Sequence, residues 1–308
     1  MTPPGALGQC SNAAPDSLPA VSSCASVRLQ TLQHRADFLR AASVRRQGTQ
    51  GLLLQARARQ DDSPVIRVGI TCSPKQGLQV TLDTVSQLSS RGFMLTPHIA
   101  ARQVMNRQHL RDIVAQLSDS GISSIFVPGG DLDSPMGDYD SSAAALRDLS
   151  EMDHPFTRIG VASYPEGHPA ISDDILFEAL EAKQGIATHM VTQMCFDMPV
   201  LLKWLGEMRD RGITTPVWIG LPGVMDRMKL FKTSLRIGVG QSAKYARKQK
   251  GLAGMLLRSP TYKPDSLLKE LKSAIGDERM AIQGLYMFTF NQLDNTVQWS
   301  QEQLKRLG

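Results

Sequence analysis

The chain has 308 residues, 42% of them hydrophobic, with 34 lysines and arginines against 29 aspartates and glutamates. That suffices for one large α/β barrel or two smaller domains, and no apolar run approaches the ~20 residues that span a bilayer, so a cytoplasmic protein without a membrane partner is expected. The net charge of +5 sits in the first sixty residues, which hold seven arginines, no lysine and two acids (Asp16, Asp37), while the other 27 bases and 27 acids cancel. No basic face interleaved with aromatics is legible, which argues against nucleic acid as a partner.

Residues 1–26 are rich in Pro, Ser, Ala and Gly and read as a disordered tail. From Val27 to about Arg46 the pattern turns helical, with Leu29, Leu32, Ala36, Leu39 and Val44. An arginine-rich opening without glutamate has the composition of an organelle transit peptide. Pro3-Pro4-Gly5 speaks against an amphipathic presequence, and a cytosolic tail is the preferred reading. The expected division is a tail over 1–40, partly disordered or helical, and a barrel over 41–308.

Beyond Pro64 the rhythm becomes regular. Strands are predicted to start near residues 65, 93, 122, 158, 188, 216 and 284. Helices are predicted between them over Leu78–Ser90, Gln108–Ser120, Ser141–Glu151, Ser172–Gly185 and Met198–Asp210, with a largely helical stretch over 225–280 and a last helix at the C-terminus. Gly121 is a plausible helix stop. Strand–helix alternation implies a parallel sheet. Seven strands fall one short of a closed (β/α)8 TIM barrel; the eighth is expected within 40–58, as Ala42-Ser-Val-Arg45 or Gly51-Leu-Leu-Leu54. An open doubly wound sheet competes, but no GxGxxG turn follows any strand, and polar residues recur at the strands' C-terminal ends.

Those ends carry the chemistry. Pro128-Gly129-Gly130-Asp131 lets a ligand approach the backbone closely and sets a negative charge beside it; its bland reading is a tight turn with a capping Asp. Tyr164-Pro165-Glu166-Gly167-His168-Pro169 presents an aromatic face, a carboxylate and an imidazole on a stiff loop, with a buried ion pair or a packing Tyr as the alternative. Thr192-Gln193 offers the donor and acceptor pair that suits a heterocycle's edge. His98 ends a strand after Pro97. Cys10, Cys24, Cys72 and Cys195 lack ligand or CxxC spacing, and the histidines show no HxxxH, so reduced thiols and no metal site are expected.

Taken in order, Gly69-Ile-Thr-Cys72, Thr96-Pro-His98, Pro128-Gly-Gly-Asp131, Val161-Ala-Ser-Tyr-Pro-Glu-Gly-His-Pro169, Lys183, Val191-Thr-Gln-Met-Cys-Phe-Asp197 and Phe288-Thr-Phe-Asn291 resemble the methylenetetrahydrofolate reductase family, flavin-dependent (β/α)8 barrels of one-carbon metabolism and methionine biosynthesis. The resemblance implies that Thr71, Cys72, His98, Gly129, Gly130, Asp131, Tyr139, Tyr164 and His168 surround FAD and that Lys183 meets its phosphates. Asp131, Gln193 and Asn291 would bind the folate, with Asp131, Gln193 and Glu166 as the catalytic candidates. NADH or NADPH would reduce the flavin, which would then convert 5,10-methylenetetrahydrofolate to 5-methyltetrahydrofolate, or run the reverse oxidation. An oligomer is left open.

Three departures stand out. The family's first strand carries a glutamate that protonates the folate, yet here no glutamate precedes Glu151, and Arg45 falls near that place. Gly129 and Gln292 stand where the family has arginines. Ala179 and Ala182 stand where it has diphosphate ligands. The alternative is therefore a non-catalytic or repurposed folate- or flavin-binding barrel.

Overall fold

The computed structural model describes residues 52–57, 65–91, 93–237 and 259–307. The expected tail and the strand candidate at 42–45 lie outside them. Eight strands form one sheet: β1 (Leu52–Arg57), β2 (Val65–Ile70), β3 (Leu95–Pro97), β4 (Ser124–Phe126), β5 (Arg158–Ser163), β6 (His189–Thr192), β7 (Val217–Pro222) and β10 (Ile282–Phe288), in the order β3-β2-β1-β10-β7-β6-β5-β4. All seven predicted strands are present, and the eighth lies at the second predicted place. A separate antiparallel pair, β8 (Met225–Asp226) with β9 (Thr261–Tyr262), interrupts the stretch expected to be helical.

Strands β4, β5, β6, β7 and β10 run parallel, as do β2 and β3. The sheet curls until its edges meet: His98 bridges Phe126, and the Ile99 N–H donates to the Phe126 carbonyl at 2.8 Å. The expectation of an all-parallel eightfold repeat is corrected at one strand, because β1 is antiparallel to both β2 and β10. The physical reason is chain length. Only seven residues, 58–64, join β1 to β2, whereas a parallel crossover needs about a dozen or more. The fold is thus a curled mixed α/β sheet with a parallel five-stranded half.

Helices α1 (Gly77–Ser89), α2 (Arg107–Asp119), α3 (Ser142–Ser150), α4 (Asp173–Glu181) and α5 (Met198–Asp210) each connect successive strands. Their starts follow from capping chemistry. The side chains of Asn106, Ser141 and Asp197 accept from backbone N–H groups of His109, Ala144 and Val200. Gly121 and Gly212 follow α2 and α5 at φ +68° and +88°, the left-handed conformation that glycine adopts freely. Helices α6 (Arg227–Ile237), α7 (Asp265–Ile275) and α8 (Leu293–Leu307) complete the set.

Apolar stripes on the helices cover the outer face of the sheet, burying Leu82, Ile113, Leu146, Leu201 and Leu271. Full burial of each such side chain is worth about 1.5–3 kcal/mol. The inner face holds a smaller cluster of Phe126, Val191, Trp218 and Tyr286. These fill the interior, so any ligand must bind above them, at the strand ends.

Candidate functional site

Three loops meet at the C-terminal ends of adjacent parallel strands. The first follows β4 and carries Gly129, Gly130 and Asp131. Gly130 has φ +101°, and a Cβ there would lie 3.1 Å from the Ala100 Cβ, while a Cβ on Gly129 would meet nothing within 4 Å. Backbone can therefore be approached closely at Gly129. Arg102, from the segment after β3, pins this loop, donating to the carbonyls of Leu132 at 2.7 Å and Asp140 at 2.8 Å.

The second loop follows β5. Tyr164 and His168 stack edge to face with ring centroids 5.1 Å apart. Burial raises the Tyr164 phenol, and the Asp131 charge raises it further. Burial lowers the His168 imidazole, and Asp131 pulls it back up. Both effects require Asp131 to lie within electrostatic reach of the two rings. Cys72, after β2, joins the group: burial raises its thiol, Asp131 adds to that rise, and Thr81, Ala100 and Gln103 oppose it.

The third loop follows β6. The Gln193 N–H donates to the Ser163 carbonyl at 2.7 Å, and its Oε1 accepts from the Met194 N–H at 2.8 Å. Its amide nitrogen is the end left for a ligand. Thr192 fixes the strand below, its hydroxyl accepting from the Gly220 N–H at 2.7 Å. The second and third loops are tied by Glu166, whose Oε1 accepts from the N–H groups of Phe196 at 2.7 Å and Asp197 at 3.1 Å. Asn291 lies in the loop after β10, exposed, at φ +64°.

Other expected residues stand apart from this rim. His98 lies in the interior, 8% exposed, with Nε2 2.9 Å from the Tyr286 hydroxyl. Tyr139 is buried with its hydroxyl donating to Asp148 at 2.7 Å, which anchors it to α3. The Thr71 carbonyl accepts from the Thr81 hydroxyl at 3.2 Å. Lys183 is 5% exposed and follows α4, in the turn that feeds the N-terminal end of β6. That is the opposite end of the sheet from Asp131, and burial lowers its ammonium to about 8. Sequence reasoning missed Arg102, Tyr286 and Lys229. The last donates from Nζ to the Phe290 carbonyl at 2.6 Å and holds the loop after β10. None belongs to a local motif; each acts on a partner distant in sequence.

A curled α/β sheet with polar loops gathered over the ends of its parallel strands is the architecture of the barrel-type folds, which place their ligand sites at that end. The family model for methylenetetrahydrofolate reductase matches residues 45–238, and the chain belongs to that family. A 5,10-methylenetetrahydrofolate reductase of Pectobacterium carotovorum subsp. carotovorum is 31% identical over 138 residues, 44% of each chain. Methylenetetrahydrofolate reductase 2 of Saccharomyces cerevisiae is 34% identical over 71 residues, 22% of this chain and 11% of that protein. A ribonuclease P protein component of Ruegeria pomeroyi is 52% identical over 60 residues, 19% of this chain and 48% of that one. The chain thus spans less than half the length of these relatives. Among the described residues, no His, Cys, Asp and Glu cluster could hold a metal ion, and no helix is long and apolar enough to cross a membrane.

Proposed function

We propose that the rim binds a flavin and a folate and supports hydride transfer between NAD(P)H and the methylenetetrahydrofolate pair. The observation that carries this reading is the convergence of Asp131, Tyr164 and His168 from successive strand ends, beside Gln193. The residues fit the ring end of a flavin. Gly129 leaves open backbone, Tyr164 and His168 offer aromatic faces, and Asp131 sets a fixed charge. They do not fit its diphosphate end, because Lys183 is buried at the opposite end of the sheet and Ala179 and Ala182 offer no donor. A bound flavin would supply a carrier able to take a hydride from the nicotinamide and pass it to the one-carbon unit. The chain's share is to stack the rings, orient the folate through the Gln193 amide, and hold charge near the reacting atoms. Titration of the purified protein with FAD should give the flavin absorption bands with a perturbed shape, and NADH should bleach them anaerobically. Absence of any bound flavin at saturating FAD would refute the redox reading and leave the non-catalytic folate-binding barrel, which the acid-free β1 favours.

A second reading concerns the opening of the chain. Residues 1–77 hold nine bases and four acids, and residues 78–308 hold 25 of each, so the entire excess charge lies before α1. The same region supplies β1, the strand that runs against the rest of its sheet. We infer that the stretch similar to the ribonuclease P protein component lies here, overlapping the start of the reductase family match at residue 45, and that a module of separate origin contributes β1 and β2 to the sheet. An arginine-rich module of that ancestry would contact RNA. Fluorescence anisotropy with labelled bulk tRNA tests this. Binding should weaken steeply with salt, and the R40A/R45A/R46A variant should lose about tenfold in affinity. Equal competition by heparin and duplex DNA, or no binding in low salt, would refute it.

A further inference from the structure

Glu166 is 9% exposed, and a carboxylate so placed is costly unless its oxygens are matched. Oε1 is matched twice, by Phe196 and Asp197, the two amides that precede α5. Oε2 is buried with no hydrogen-bond partner among the described residues. The two amides belong to the loop that begins with Gln193, and Glu166 itself stands between Tyr164 and His168. One carboxylate therefore spans the part of the rim that would hold the flavin and the part that would hold the folate.

We propose that Glu166 is a positioning residue, a clasp that fixes the Gln193 loop against the Tyr164–His168 loop and loosens when its carboxylate is protonated. This rests on the ligand assignment of the preceding subsection. Ionised acceptors make hydrogen bonds roughly twice as strong as neutral ones, so protonation slackens both bonds to the 196–197 backbone. Burial raises the Glu166 carboxyl above the ordinary range, the two amides oppose that, and Asp197 adds to it. The Cys195 thiol also faces it, raised by burial and by Glu166 itself. Folate affinity should therefore fall as pH drops through this raised range, while contacts to Tyr164 and His168 persist.

The test uses the full chain and two variants. In Glu166→Ala, hydrogen–deuterium exchange at the Phe196 and Asp197 amides should quicken by at least about tenfold, since both bonds are lost. 5-Methyltetrahydrofolate binding should weaken about tenfold while FAD binding changes less than about threefold. Glu166→Gln keeps a neutral acceptor, like the protonated acid, so at pH 7.5 its exchange protection and folate affinity should lie between those of Glu166→Ala and wild type, and neither should depend on pH. Equal losses for both ligands with a matched fall in Tm would mark a purely structural residue and overturn the proposal. So would folate binding insensitive to Glu166→Ala, or a Glu166→Gln variant that behaves like Glu166→Ala. A wild-type chain that binds neither ligand refutes the ligand assignment itself, and the clasp's role with it, a result distinct from all of these.

Discussion

Lowering the pH from 7.5 to 5 should destabilise this protein through two histidines held neutral in its interior. His98 is enclosed by the Phe126 ring, with centroids 4.6 Å apart, and by the Tyr286 hydroxyl. His189 is 1% exposed, beside Trp218, with Nδ1 2.9 Å from the Thr188 hydroxyl. Burial lowers each to about 3, and for His189 the charges of Arg158 and Arg67 push the same way. The unfolded chain titrates near 6.5, so below that pH it binds protons that the native state refuses. The contribution is complete above 6.5 and is lost as pH falls towards 3. At pH 5 the loss is about 2 kcal/mol per histidine at 1.36 kcal/mol per pH unit, against a total stability of typically 5–15 kcal/mol. Urea unfolding of wild type, His98→Gln and His189→Gln at the two pH values isolates the effect, because carboxylate titrations cancel in the double difference. Each variant should lose about 2 kcal/mol less than wild type on acidification, a midpoint difference of roughly 0.7 M if m is about 3 kcal/mol/M. Identical acid losses in wild type and both variants would refute the claim that these rings are buried neutral.

Gly220→Ala should disturb the rim through the backbone, because its Cβ would overlap the Thr192 carbonyl oxygen and lie 2.8 Å from the Phe288 ring and 2.9 Å from the Gln193 carbonyl. A loss of about 1–3 kcal/mol in urea unfolding is expected, and a neutral variant would mean that the β6 loop is not held there. Lys183→Met should stabilise by up to about 3 kcal/mol at pH 7, since a lysine lowered to about 8 opposes folding below that pH and ceases to do so above 10.5; a destabilised variant would reveal an anion at the ammonium. Tyr286→Phe leaves the buried His98 Nε2 without its 2.9 Å partner and should cost about 1–3 kcal/mol, whereas a Phe at both positions should recover most of it. Additive losses in that cycle would deny the pair.

Hydrophobic rhythm alone located every parallel strand, because β4 to β7 are buried on both faces and read as apolar runs. It also located α5 over Met198–Asp210, where Asp197 and Pro199 mark the start and Gly212 the end. Strand direction was not legible at β1: Leu52 to Leu54 announces a buried strand in either sense, and orientation is decided by the seven-residue connection to β2. Rim residues were legible as loop chemistry after strands, but their state was not. Nothing local distinguishes His168, half-buried beside Asp131, from His98, sealed beneath it by Phe126 and Tyr286 from two other strands. Lys183 fits a sequence motif, yet its position at the end of α4 turns it to the far end of the sheet.

The reversed strand narrows where a proton could come from. Running antiparallel, β1 brings its first residue, not its last, to the functional end: Leu53 pairs with Phe288 and Leu52 with Ile70, the rim ends of their strands. An acid delivered to the mouth by β1 would have to stand at or just before Leu52, and no Asp or Glu occurs between Asp37 and Asp61. Of the two carboxylates expected to act on the folate, Glu166 is engaged by two backbone amides, whereas Asp131 is exposed and lies within electrostatic reach of Tyr164 and His168. Asp131 is therefore the group to test on the proposed reading. In Asp131→Asn, folate-dependent turnover should fall by 10²-fold or more, the typical weight of one acid–base group, while NADH oxidation with menadione as acceptor persists. The same variant should lower the His168 pKa in an NMR titration, because the charge that raised it is gone. Unchanged folate turnover with a shifted His168 would leave Asp131 as a neighbour of the site and remove the last carboxylate available for ring opening.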